Sequence, residues 1–321
     1  MRASLLLLAS LLAAFAAHSQ PQSYPSRPLK LIVADAPGSA SDTRARQIGA
    51  KLGDALGQPV VIDNRPGGSM VIAAEAAARA APDGYTLFMG NLVTHSLNPH
   101  LFKTLNYRPD EDFIPVTMLS GGPLVLVVNP ELPVRTLPEL IAYARAHPGK
   151  LSYGSIGLGS PGRIVMEQLK VRHGTQFEFI PYKATAQYLQ DLLAGRLQLA
   201  LNYWLVVGAQ VQAGKLRAIA IAGPRRLEVA PDITTFAEAG SPDIDGTSWQ
   251  GVFVPAGTPG AVVQRLHAEI SRALQSPEIR SAIIEGGSEV GGMRPEEFAA
   301  YVRADRLRWR AAVNDAGVEP Q

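Results

Sequence analysis

The chain of 321 residues contains no cysteine. Disulfides, thiolate metal sites and cysteine nucleophiles are excluded together, and stability has to come from packing. The same absence rules out a lipid-modified cysteine behind the apolar start of the chain. Long apolar runs are scarce as well: the stretch Leu5 to Ala17 is shorter than the roughly 20 residues a membrane-spanning helix needs, and nothing later matches it. A charge excess is also missing. The formal net charge is +2, the charged residues of both signs are interspersed, and aromatic residues make up only 7%. Without a basic stripe and aromatic platforms, no nucleic-acid partner is expected. His95, His100, His147, His173 and His267 are scattered and form no helical ligand pair, so no metal site is expected. No Gly-x-Ser-x-Gly elbow is present, and Ser39, Ser41 and Ser160 have no histidine at a suggestive spacing, which argues against a hydrolase.

What is there begins with an export pattern. Arg2 precedes the apolar run, and Ala17-His18-Ser19 has small residues at the positions a signal peptidase reads. The expectation is a leader over residues 1–19, cleaved near Ser19, and a mature protein in the periplasm. The remainder is long enough for two cores, since single cores stop growing at about 250 to 300 residues.

Short apolar runs alternate with Ala-rich amphipathic stretches: Leu29 to Val33, Asp42 to Leu56, Pro59 to Ile62, Val71 to Ala80 and Tyr85 to Met89. This pattern predicts parallel strands joined by helices. A second block repeats it, with strands at Leu151 to Tyr153, Phe177 to Pro181, Leu197 to Asn202 and Arg217 to Ala222, and helices between them. Phe113 to Leu119, Leu124 to Val128 and Trp249 to Val254 read as crossover strands between the halves. Three C-terminal segments opening at Pro259, Pro277 and Pro295 read as helices with proline in the first turn, packed on the first half. The fold class is therefore α/β, two doubly wound lobes with a central cleft. Lobe 1 is expected over 24–120 plus 249–321 and lobe 2 over 121–248.

In open α/β sheets, ligands bind beyond the carboxyl ends of strands, where helix starts present unpaired N–H groups. Two loops fit. The first follows the first strand and runs Asp35-Ala36-Pro37-Gly38-Ser39-Ala40-Ser41-Asp42, with Ser41 or Asp42 as the expected helix N-cap. The second runs from Gly154-Ser155 through Gly157-Leu158-Gly159-Ser160-Pro161-Gly162-Arg163, with Ser160 as N-cap and Pro161 as first helical residue. Each alone is an ordinary strand-to-helix turn. As a pair, in equivalent places of two lobes, they converge on one anionic ligand from opposite walls. Backbone N–H groups, hydroxyls and bridging waters suffice to hold it.

The sequence also resembles the tripartite tricarboxylate transporter receptors, the Bordetella uptake gene (Bug) or TctC family. The resemblance rests on Pro25 to Val33, Asp42-x-x-x-Arg46, Gly57-Gln58-Pro59-Val60-Val61, Asn64-Arg65-Pro66-Gly67, Ala81-Pro82-Asp83-Gly84-Tyr85-Thr86-Leu87, Tyr153-Gly154-Ser155, Pro181-Tyr182-Lys183 and Ala213-Gly214-Lys215-Leu216-Arg217. It extends to Pro255-Ala256-Gly257-Thr258-Pro259 and Pro295-Glu296-Glu297-Phe298, almost the whole chain after the leader. It implies a type II periplasmic binding fold, a non-enzymatic receptor that takes a small carboxylate between its lobes without a cofactor. Its implied partners are the membrane components of the transporter, and a monomer is the default. Carried over by position, the ligand-gripping residues are Gly38, Ser39, Ala40, Ser41 and Asp42 on one side. On the other they are Ser155, Gly159, Ser160, Pro161, Gly162 and Arg163, with Thr185, Asn202 and Tyr203 added.

Departures from the family pattern narrow the ligand. Gly38-Ser39-Ala40-Ser41 replaces a glycine run. Ser160-Pro161-Gly162-Arg163 replaces a Thr-Ser-Ser-His run, and Arg163 is either a bidentate clamp on a second carboxylate or a solvated helix charge. Asn202-Tyr203-Trp204 replaces an Asp-Asn pair, which removes the obvious partner for a ligand ammonium and points to a purely acidic ligand; Tyr203 and Trp204 are either its apolar contact or core.

Two rival readings stay open. Gly157-x-Gly159-x-x-Gly162 follows a strand, opens a helix and has Glu178 downstream, the spacing of a dinucleotide-dependent oxidoreductase. An orphan sensor or interaction protein without a small ligand is the other.

Overall fold

The computed structural model describes residues 24–157 and 159–320. The expected leader lies outside them.

Strand β1 (Leu29–Val33) buries Leu29, Leu31, Ile32 and Val33, as a parallel strand covered on both faces must. Helix α1 (Ala40–Leu56) lays Ala45, Ile48, Leu52 and Leu56 along one stripe against it and ends at Gly57, whose φ of 69° is the left-handed C-terminal geometry glycine supplies. Strand β2 (Val60–Asn64), helix α2 (Val71–Ala78) and strand β3 (Thr86–Asn91) complete the first βαβαβ unit. Beyond β3 the chain makes a π-helical turn, Val93–Leu97, and a short helix α3 (Asn98–Leu101), neither of which the sequence pattern announced.

Strand β4 (Phe113–Gly122) is longer than expected, running through Ser120-Gly121-Gly122. After Pro123 comes β5 (Leu124–Val128), then α4 (Leu137–Ala146), β6 (Leu151–Ile156), α5 (Pro161–His173), β7 (Phe177–Tyr182), α6 (Thr185–Leu193), β8 (Leu199–Tyr203), α7 (Trp204–Gln212) and β9 (Arg217–Ala222). The chain returns as β10 (Ser248–Pro255) and ends with α8 (Gly260–Leu274), α9 (Pro277–Glu285), the two-residue strand β11 (Glu289–Val290) and α10 (Pro295–Asp315).

The strands form two sheets, ordered β11-β4-β10-β3-β1-β2 and β7-β6-β8-β5-β9. Each is parallel apart from reversed strands: β10 runs against β3 and β4, β11 against β4, and β5 against β8 and β9. The register decides where the site lies. Gly122, at the end of β4, pairs with Ser248, at the start of β10, while Leu124, at the start of β5, pairs with Tyr203 and Ala222, at the ends of β8 and β9. Only Pro123 separates Gly122 from Leu124. The carboxyl edges of both sheets therefore face one another across the crossovers, and every βα turn of either half opens toward the same cleft.

Each half has its own core, yet a third apolar cluster is continuous between them. It runs from Ile32 and Phe88 through Leu124 and Leu126 to Trp309. The last helix makes that continuity, because α10 packs on β4 and also on α5, so it does not belong to the first half alone. Its Asp305 is buried and accepts the Trp249 indole N–H at 2.8 Å, while Arg308 bonds Asp305 and the carbonyls of Asp245 and Thr247 on the returning crossover.

Candidate functional site

The wall built on β1 is organised by two carboxylates. The N-cap of α1 is Ser39, two or three residues earlier than expected; its hydroxyl accepts the Asp42 N–H at 3.1 Å. Asp42 is left free to turn back. It accepts the Gly38 N–H at 2.9 Å and the Arg46 Nε at 3.0 Å, and these two, Arg46 foremost, hold its pKa down to about 2. Gly38 (φ 81°) makes the reversal possible. Asp42 thus braces the loop through its own carboxylate. Asn64 joins the brace, reached by Arg46 and donating to the Asp35 carbonyl at 3.0 Å.

Asp35 carries the second carboxylate. It is half-buried, and burial raises its pKa against a hydrogen bond with Ser41. Ser41 in turn accepts the Gln250 amide at 2.7 Å. A hydroxyl has one proton; with Gln250 donating to it, Ser41 keeps its own proton for an acceptor.

On the opposite wall the Ser155 and Ser160 hydroxyls bond one another at 2.5 Å, and Ser160 caps α5 by accepting the Arg163 N–H at 3.4 Å. Pro161 and Gly162 are buried, and a Cβ at Gly162 would lie 3.2 Å from the Leu201 carbonyl, so this helix start is seated directly on β8. Gly159 reaches across: a Cβ there would stand 2.9 Å from Leu101 of α3. Arg163 stacks over Phe179 at 5.0 Å and shares a hydrogen bond with Tyr153, both in its own half.

Thr185 opens α6 and bonds the Tyr188 hydroxyl, which also receives the Asn202 amide. The Asn202 oxygen accepts the Tyr203 N–H at 2.8 Å. Asn202 is consequently buried and engaged within its own half, while Tyr203 spans the gap. Its hydroxyl lies near Ser248 at the start of β10 and feels the charge of Asp35. The residue is 36% exposed, yet its hydroxyl is shielded enough for burial to raise its pKa. Trp204 is core, at 6% exposure.

Sequence reasoning missed Asp35, Ser248 and Gln250. Asp35 had a signal, its place two residues beyond the end of a buried strand; Ser248 and Gln250 become visible only through the register of β10. The dinucleotide reading fails on that same kind of detail. Glu178 pairs with Ser152 at the far end of β7, whereas Tyr182 pairs with Ile156 beside the glycine loop. Four residues of strand put about 13 Å between that acid and the loop, too far for one ribose-diphosphate contact.

Two lobes, a cleft lined by facing βα turns and polar side chains that meet across it define a bilobal α/β solute-binding protein. A family model described as the tripartite tricarboxylate transporter family receptor matches residues 44–318, and the chain belongs to that family. Among its relatives, Protein BugT of Bordetella pertussis is 33% identical, over 96% of this chain and 94% of the relative. The solved structure of R. palustris Rpa4515 with adipate superposes with a TM-score of 0.85 at 35% identity, covering 93% of this chain and all of that one. MatC from Rhodopseudomonas palustris, with bound malate, gives 0.80 at 34% over 90% of this chain and all of its own, and the periplasmic binding protein BugD gives 0.82 at 29% over 93% and all of its own.

Proposed function

We propose that this receptor captures a small carboxylate between its lobes in the periplasm and presents it to the membrane components of a tripartite transporter. The observation that carries the reading is the meeting of the two carboxyl sheet edges at Pro123. That arrangement aims the starts of α1, α5, α6 and α7 at one space, where unpaired helix N–H groups favour an anion. Relatives of the same family solved with adipate and malate support the ligand class. We assign lobe 1 to 24–120 plus 249–321 and lobe 2 to 121–248, close to the division between the sheets. The leader is removed near Ser19 and the receptor acts as a monomer.

The test is a thermal-shift and calorimetric panel of mono-, di- and hydroxycarboxylates. A cognate acid at a hundred times its Kd raises stability by about 2.7 kcal/mol. If no acid shifts the transition, the orphan-sensor reading replaces this one. Ser160→Ala, which removes the hydroxyl paired with Ser155 and the cap of α5, is expected to weaken binding of that acid about tenfold by calorimetry.

A further inference from the structure

Large apolar side chains exposed to solvent are not scattered evenly over this molecule. Seven are found among the described residues. Three of them, Val61, Val171 and Leu307, lie singly within β2, α5 and α10, as isolated surface apolar residues ordinarily do. The other four stand at the cleft. Ile156 is the last residue of β6 and Tyr203 the last of β8, Leu205 is the second residue of α7 and Ile72 the second of α2, and each is between 36% and 54% exposed. All four belong to the carboxyl ends of strands or to the helix starts that follow them, the edges that face one another across the crossovers. Leu205 already reaches the other lobe, since a Cβ on Gly286 would lie 3.4 Å from its side chain. Of the loop hydroxyls, Ser155 and Ser160 bond one another and Ser39 caps α1.

Resting on the reading of the cleft as a carboxylate site, we propose that it selects acids with an uninterrupted hydrocarbon body over compact hydroxylated ones, and that Ile156 and Tyr203 are its specificity-determining residues. The carboxylate takes the unpaired N–H groups of the helix starts, and the carbon chain lies along Ile156 and Tyr203. Apolar surface left in contact with water in the empty cleft is covered when such a chain binds, and each methylene so buried tightens binding roughly fourfold. A hydroxylated body of equal length loses that gain, because its hydroxyls exchange water for apolar walls that offer them no partner. Ile72 and Leu205, on helix starts of opposite lobes, extend the same apolar lining.

The test uses the whole mature protein, titrated by calorimetry with straight-chain monocarboxylates and α,ω-diacids of four to eight carbons and with malate and tartrate. The tightest ligand is expected to be an unsubstituted chain, at least about tenfold above malate, with affinity falling about fourfold for each methylene removed from it and a negative heat-capacity change on binding. Ile156→Ser and Tyr203→Ser are each expected to flatten that dependence to about twofold per methylene or less. Val171→Ser, an exposed apolar position near the far end of α5, leaves it unchanged. Tightest binding of malate or tartrate, or an affinity indifferent to chain length, overturns the proposal in the wild type alone. So do Ile156→Ser and Tyr203→Ser proteins that melt normally and both keep the wild-type dependence. Binding of no acid in any series instead removes the carboxylate reading beneath it.

Discussion

At the scale of single residues, Asp42 and Asp305 show how position decides what a carboxylate does. Asp42 bonds to Arg46 and Gly38 and is held ionised, with a pKa of about 2 against an ordinary 3.8. A depressed folded pKa means that this interaction stabilises fully above the ordinary value and is lost as pH falls from about 4 to about 2. Asp42→Asn is therefore expected to melt below the wild type at pH 7 by a margin that shrinks as pH falls from about 4 toward 2, and a gap that stays constant over that range contradicts the assignment. Asp305 acts through buried hydrogen bonds. Removing it as Asp305→Ala orphans the Trp249 indole and part of Arg308, at a cost of about 3 kcal/mol by urea unfolding.

Among elements, β10 is the least forgiving. A Cβ on Gly251 would sit 2.3 Å from the Phe298 ring and 2.9 Å from the Thr117 carbonyl. Gly251→Ala forces β10 and α10 apart, with an expected loss of about 1–3 kcal/mol read in the urea midpoint; an unchanged midpoint denies the close approach. The same strand shows where sequence reading stops. Apolar periodicity identifies Trp249 to Val254 as a strand whichever way it runs, so its antiparallel pairing, like that of β5, was not legible. Nor was the N-cap choice: Ser39, Ser41 and Asp42 are all good caps, and only the return of the Asp42 carboxylate to Gly38 selects Ser39. The proline-started helices were readable because proline at a helix start is a local signal, independent of what the helix packs against.

For the molecule as a whole, the facing glycine and serine loops were legible as a pair, and the family resemblance matched the chain's membership. Their meeting point was not, because it depends on Gly122 and Ser248, residues separated by a full lobe of sequence and paired across a sheet.

The last helix, resting on both β4 and α5, acts as a strut across the opening between the lobes. If the halves rotate on ligand capture, one of its two contacts has to slide. A chain devoid of native thiols makes that slippage easy to watch: Val171→Cys on α5 and Leu307→Cys on α10, both at exposed positions, would be its sole attachment points for paired spin labels. A separation that changes when a bound acid is added locates the sliding contact between these two helices, and one that stays fixed assigns it to β4.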